Sequence, residues 1–137
     1  MTPSNLSSNG RSPFTGVKSA VLSDHAILRH LAIAAIKRTG YSADNVMSLV
    51  DAVTAHERAE ASLFAHPFLT RPPKTVMSTA ARARRRGLEY TSGNTRLPEP
   101  SAAAALFVEA LLAHLAAEEA WLEQEQQHQN ERLLIHS

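Results

Sequence analysis

The chain contains no cysteine, few glycines and few aromatic residues, and each shortage narrows its possible folds and functions. Without cysteine, disulfides, thiolate metal sites and catalytic thiols are excluded. Only five glycines occur among 137 residues, whereas alanine is abundant, and this composition favours helices throughout. An uninterrupted apolar run of about 18 residues is also missing, so no transmembrane helix is predicted.

An excess of charge of either sign is missing as well. The formal net charge is +1, which gives no overall attraction to nucleic acid or to an anionic membrane. The arginine-rich stretch at 82–86 is typical of a solvated helix face, because no aromatic residues are interleaved with it. The sequence therefore predicts neither a nucleic-acid nor a membrane partner. For a chain without disulfides the expected compartment is the cytoplasm.

Apolar residues recur at spacings of three and four in four segments, which is the pattern of amphipathic helices. The predicted helices are 20–38, 43–65, 73–91 and 102–130. Short stretches containing proline or glycine separate them. Four helices with short connections pack most naturally as an up-down-up-down bundle, so the predicted fold is an all-α four-helix bundle over 19–132. Residues 1–18 are predicted to form a flexible arm, and 133–137 a short tail.

One five-residue pattern occurs twice, in the second and fourth predicted helices. His56 and Glu60 form the first copy, and His114 and Glu118 form the second. A spacing of four residues places both side chains of each pair on one face of a helix, one turn apart. Both pairs lie on the apolar stripe, where an unpaired ionisable group would be costly. A metal ion is the simplest partner that satisfies all four.

A third inward histidine, His25, lies on the apolar stripe of the first predicted helix. Three imidazoles and two carboxylates suit iron, manganese or zinc, and two carboxylates that can bridge favour a dinuclear site. The neighbouring Glu57 and Glu119 are predicted to face away from the site. The alternative is a bundle with buried histidine–glutamate hydrogen bonds and no metal. Such a bundle would serve as a helical interaction domain.

Three motifs resemble those of the hemerythrin-like (HHE) proteins. They are Asp24-His25-Ala26-Ile27-Leu28-Arg29, His56 to Glu60 followed by Ala61-Ser62-Leu63-Phe64, and His114 to Glu118 followed by Glu119. The resemblance covers about residues 22–123 and implies a four-helix bundle with two iron ions. It implies that Glu60 and Glu118 bridge the ions. We assign His25 and His56 to one ion and His114 to the other, with Tyr90 as a further candidate there. In that family such centres bind dioxygen or handle peroxide or nitric oxide.

The third predicted helix departs from the family, which usually supplies histidines there, because this segment contains none. The family ligand nearest the fourth-helix histidine lies about 24 residues before it, and counting back from His114 leads to Tyr90. The thin apolar stripe of the helix also continues to Tyr90. Two interpretations stay open for Tyr90: a phenolate ligand of ferric iron, or a core tyrosine with a hydrogen-bonded hydroxyl. Glu89 is the second choice of ligand.

Overall fold

Within residues 13–37, 40–67, 69–92 and 100–136, which a computed structural model describes, the chain forms a bundle of four helices. The helices are α1 (Pro13–Ala35), α2 (Ala43–Phe64), α3 (Lys74–Ser92) and α4 (Pro100–His136). Two very short strands, β1 (Ile36–Lys37) and β2 (Gly40–Tyr41), pair antiparallel between α1 and α2. The predicted all-α, up-down-up-down bundle is confirmed. None of the described helices combines the length and the apolarity that crossing a membrane requires.

The turn between α1 and α2 is fixed by local hydrogen bonds. Ser42 is the N-cap of α2, and its hydroxyl accepts a hydrogen bond from the backbone N–H of Asn45. The backbone N–H of Ser42 donates to the carbonyl of Ala35 at 2.8 Å, and the side-chain amide of Asn45 donates to the carbonyl of Ala34 at 2.8 Å. These bonds satisfy groups at the end of α1 and the start of α2, and they help to hold the two helices antiparallel.

Both ends of the bundle extend further than the sequence predicts. Helix α1 begins at Pro13, and the side chain of Phe14 is fully buried in a cluster with Trp121 and Leu122. The prediction of a flexible arm is therefore wrong for residues 13–18, because burial of Phe14 anchors this segment. Residues 1–12 lie outside the described residues. Helix α4 continues to His136, so the predicted tail is helical to that residue.

The buried apolar residues form two clusters separated along the bundle axis. The first includes Leu28, Leu49, Phe107 and Leu111. The second consists of Phe14, Leu63, Val76, Trp121 and Leu122. Each fully buried leucine or phenylalanine contributes roughly 1.5–3 kcal/mol relative to an exposed one, so these clusters supply much of the driving force for folding. A layer of buried ionisable side chains lies between the two clusters.

Helix α3 packs closely on α4 but leaves a groove along α2. A Cβ atom added at Gly87 would lie 3.2 Å from the ring of Phe107, so the glycine permits a close approach of the two helices. On the other side, cavities of about 210 and 270 Å³ separate α2 from α3, and both are lined by Glu57 and Arg84. The thin apolar stripe of α3 therefore packs more closely against α4 than against α2.

Candidate metal centre

Five buried ionisable side chains from three helices meet between the two apolar clusters. Helix α1 supplies His25, α2 supplies His56 and Glu60, and α4 supplies His114 and Glu118. One donor atom from each residue of the two repeated pairs lies within 4.8 Å of the others. The structure thus brings together five of the six residues predicted from the sequence, with His25 at the flank of the four-residue group.

The three imidazoles direct their Nε2 atoms at the two carboxylates. His114 Nε2 hydrogen-bonds to Glu60 Oε2 and lies 3.4 Å from Glu118 Oε2. His56 Nε2 lies 3.4 Å from Glu118 Oε1 and 3.6 Å from Glu60 Oε2. His25 Nε2 is hydrogen-bonded to Glu118 Oε1 at 2.8 Å. Three nitrogen donors therefore converge on two carboxylates, one from α2 and one from α4.

Two atoms of this group are buried without a hydrogen bond. Among the described residues, neither His56 Nε2 nor Glu118 Oε2 has a hydrogen-bond partner. Leaving a buried polar atom unsatisfied typically costs about 1–3 kcal/mol. A cation seated between the imidazoles and carboxylates would accept an electron pair from both atoms. The side chains present therefore fit a metal ion.

Acidic side chains hold the outer nitrogens of two of the imidazoles. His56 Nδ1 is hydrogen-bonded to Asp24 Oδ2, and His25 Nδ1 lies 2.7 Å from Glu119 Oε2. Arg29 donates to both oxygens of Glu119, at 2.5 and 2.8 Å, and so positions that carboxylate. Partners of this kind orient metal-ligating histidines and increase their basicity. The prediction that Glu119 faces away from the site is wrong, because α1 lies on its side of α4.

The outer nitrogen of His114 is held by a hydroxyl from α3. Thr79 Oγ1 lies 3.0 Å from His114 Nδ1 and 2.6 Å from the carbonyl oxygen of Thr75. Because the hydroxyl has a single proton and donates it within its own helix, it accepts from the Nδ1–H of His114. This bond leaves Nε2 to face the carboxylates. Thr79 is the contribution of α3 to the centre, and its short polar side chain gave no signal in the sequence.

The charges of the group are mutually compensating. Burial alone would raise the pKa of Glu118, but its interactions with His114, His25 and His56 hold that pKa well below its usual range. Burial opposes protonation of His56 and His114 too. The surrounding carboxylates outweigh it and raise the pKa of His56 to about 10 and that of His114 to about 9. At neutral pH the metal-free centre is therefore a set of imidazolium–carboxylate pairs.

Tyr90 is not brought to this group. It is half-buried and packs against the first apolar cluster, eleven residues along α3 from Thr79. At 1.5 Å per residue those eleven residues correspond to about 16 Å of helix, so the phenol lies three turns from the level of His114. Glu89 lies at a similar level and is paired with Arg86 at 2.9 Å. Counting back from His114 in the sequence therefore leads to a residue three turns away from the one that lies beside His114, which is Thr79. A core role fits Tyr90.

Comparisons with known proteins add no further identification. The chain matches no protein-family model, and searches of curated proteins and of solved structures find no match. The function is therefore inferred from the chemistry of the buried group itself.

Proposed function

We propose that the protein is a hemerythrin-like, non-haem di-iron protein that binds or reacts with dioxygen, peroxide or nitric oxide. The observation that supports this proposal is the buried group of two histidine–glutamate pairs, in which His56 Nε2 and Glu118 Oε2 lack hydrogen-bond partners among the described residues. In the proposed arrangement Glu60 and Glu118 bridge two ions. His25 and His56 bind one ion, and His114 binds the other.

The donor atoms favour this assignment. Imidazole nitrogens and carboxylate oxygens suit iron, with manganese and zinc as alternatives, and carboxylates from separate helices are typical of di-iron sites in four-helix bundles. Because Thr79 occupies the α3 side of His114, the ion bound by His114 would have one imidazole and the shared carboxylates. Its remaining positions would be open to a small ligand. When bound, iron would supply the redox and ligand-binding chemistry that the side chains lack.

The surrounding residues orient and insulate the centre. Asp24, Thr79 and Glu119 each hold one imidazole by its outer nitrogen, so that the inner nitrogens face one another before any ion arrives. The apolar clusters on either side limit access of water, which strengthens electrostatic interactions within the site. A preorganised site between apolar clusters is suited to holding a metal that meets small uncharged ligands.

Metal content tests the proposal. Protein exposed to ferrous iron without oxygen and then desalted should retain close to two ions per chain by elemental analysis. His56→Ala and His114→Ala should each lower that content, because each removes a donor nitrogen. His128→Ala is the matched control, since its side chain is 62 % exposed on α4 and should leave iron content unchanged.

Three outcomes would contradict parts of this proposal. One ion per chain would keep the centre but exclude its dinuclear form. Retention of manganese or zinc in preference to iron would change the metal. A parent protein without bound metal, together with histidine variants that melt as it does, would favour the metal-free interaction domain.

A substitution at Tyr90 separates its two interpretations. Tyr90→Phe keeps the ring and its packing but removes the oxygen. Because Tyr90 lies about three turns from the level of His114, we expect the iron content and the visible spectrum of the oxidised protein to match those of the parent. The measurement is an absorption spectrum of both iron-loaded proteins. A tyrosinate charge-transfer band that disappears in the variant would restore Tyr90 as a ligand.

A further inference from the structure

A cleft between α1 and α2 leads to the metal-binding group. Its volume is about 410 Å³, and its walls include Val17, Val21, Ala59 and Leu63. His56 and Glu60 also line it. Because Asp24 of α1 is bonded to His56 of α2, these residues and Glu60 mark the inner end of the cleft. The apolar walls extend from there toward the start of α1, where Ser62 and His66 also line the cleft. The cleft therefore has a polar inner end and apolar sides.

The size of the cleft exceeds what a diatomic ligand needs. A water molecule takes up about 30 Å³ in the liquid, so the cleft could hold on the order of a dozen waters. Its volume of about 410 Å³ lies toward the lower end of the range of small-molecule pockets. Along α1 the lining runs from Val17 to Asp24, which corresponds to about 10 Å of helix. These dimensions suit an elongated organic molecule.

The charges at the inner end do not favour an anion. Two carboxylates, Asp24 and Glu60, line this end beside the imidazole of His56, so the metal-free cleft offers no excess of positive charge to a carboxylate or phosphate head group. An uncharged oxygen needs no such excess. It could also approach an ion held by His56. Valine, leucine and alanine walls favour an aliphatic chain behind that oxygen.

We propose that this cleft binds an uncharged medium-chain aliphatic molecule, with a hydroxyl or carbonyl oxygen placed beside His56 and Glu60. The oxygen of this ligand would lie at the proposed metal centre, and to that extent the inference rests on the proposed function. The apolar walls belong to α1 and α2 and include none of the proposed metal ligands. Binding of the aliphatic chain can therefore be measured with or without iron.

The experiment uses 1-octanol as the probe, added to the metal-free and the iron-loaded full-length protein. In the metal-free protein we expect saturable shifts of the methyl NMR signals of Val17, Val21 and Leu63. Ala59→Trp should weaken binding at least tenfold, because the indole would fill the cleft that Ala59 lines. Since Ala59 is exposed at the rim, the substitution should leave the fold intact. Ala55→Trp, one turn away on the same helix and also exposed, should bind as the parent does.

In the iron-loaded protein, where paramagnetism broadens nearby methyl signals, binding is followed by calorimetry. Octanoate, which has the same chain with an anionic head, should bind the metal-free protein more weakly than 1-octanol does. If circular dichroism shows that Ala59→Trp is unfolded, Ala20→Trp fills the cleft from the exposed rim of α1 instead.

The outcomes separate this inference from the proposed function. Iron retention without saturable octanol binding would overturn the inference about the cleft and leave the metal centre standing. Octanol binding without iron retention would support the cleft and overturn the di-iron proposal. Equal affinity in the Ala59→Trp and Ala55→Trp proteins, or equal affinity for octanoate and 1-octanol, would also overturn the inference about the cleft.

Discussion

Replacing Glu118 with alanine is expected to abolish metal binding and to destabilise the metal-free protein by about 3–5 kcal/mol. The side chain of Glu118 is fully buried. Its oxygens lie 2.8 Å from His25, 3.4 Å from His56 and 3.4 Å from His114. Without that carboxylate, protonated imidazoles stay buried with too little negative charge near them. A metal would also lose its proposed bridge.

Urea unfolding of the metal-free proteins and elemental analysis of the iron-loaded ones would measure both effects. Glu123→Ala is the matched control on the same helix, because Glu123 is 62 % exposed and pairs with Lys18 at the surface. Its loss should cost at most about 1 kcal/mol. Glu118→Gln keeps the volume but not the charge, so it should lose iron with a smaller loss of stability. A Glu118→Ala protein as stable as the parent would refute the ionic account of this layer.

The overall affinity for two divalent metal ions is expected to rise about 100-fold per pH unit between about pH 6 and pH 8. The pKa of His56 is raised to about 10 and that of His114 to about 9, so both imidazoles carry a proton in this range. Only the neutral imidazole binds a metal, so two protons must leave as the two ions enter, one from His56 and one from His114. Each displaced proton contributes a factor of about ten per pH unit.

Calorimetric titration with zinc, which is redox-inert, in two buffers of different ionisation enthalpy would count these protons directly. His114→Ala should release about one proton fewer, and His128→Ala should behave as the parent. Release of less than one proton on binding to the parent would contradict the imidazolium–carboxylate description.

The same protons give the metal-free fold the opposite dependence on pH. A histidine whose pKa is raised by folding stabilises the folded state fully below its unfolded pKa of about 6.5. That contribution declines above this pH and is lost as the pH passes the folded values of about 9 for His114 and about 10 for His56. Metal-free protein should therefore lose stability between about pH 7 and pH 10, while its affinity for zinc increases.

The repeated pairs on α2 and α4 could be read from the sequence because their geometry is local. A spacing of four residues fixes that His56 and Glu60 share a face, and the apolar stripe shows that this face is buried. The apolar stripe of the first predicted helix likewise placed His25 on the inner side of α1. None of these inferences needs the relative positions of the helices along the bundle axis.

The partners that the sequence did not reveal depend on how helices are placed against each other. The level of Tyr90 depends on where the chain turns between α3 and α4, and periodicity within α3 does not contain that information. Glu119 lies one residue from Glu118, about 100° around the helix, so its surroundings depend on which helix lies on that flank. The early start of α1 had one local signal, the single aromatic residue Phe14 in an otherwise polar segment.

The pairing of His114 with Glu60 and of His56 with Glu118 affects how the protein survives when metal is scarce. Protons on the imidazoles supply the positive charge that an ion would otherwise bring, so we expect newly made chains to fold before they acquire iron. A folded chain resists proteolysis better than an unfolded one. Loss of the ion would then be a reversible exchange for protons, and the same molecule could be loaded again without refolding.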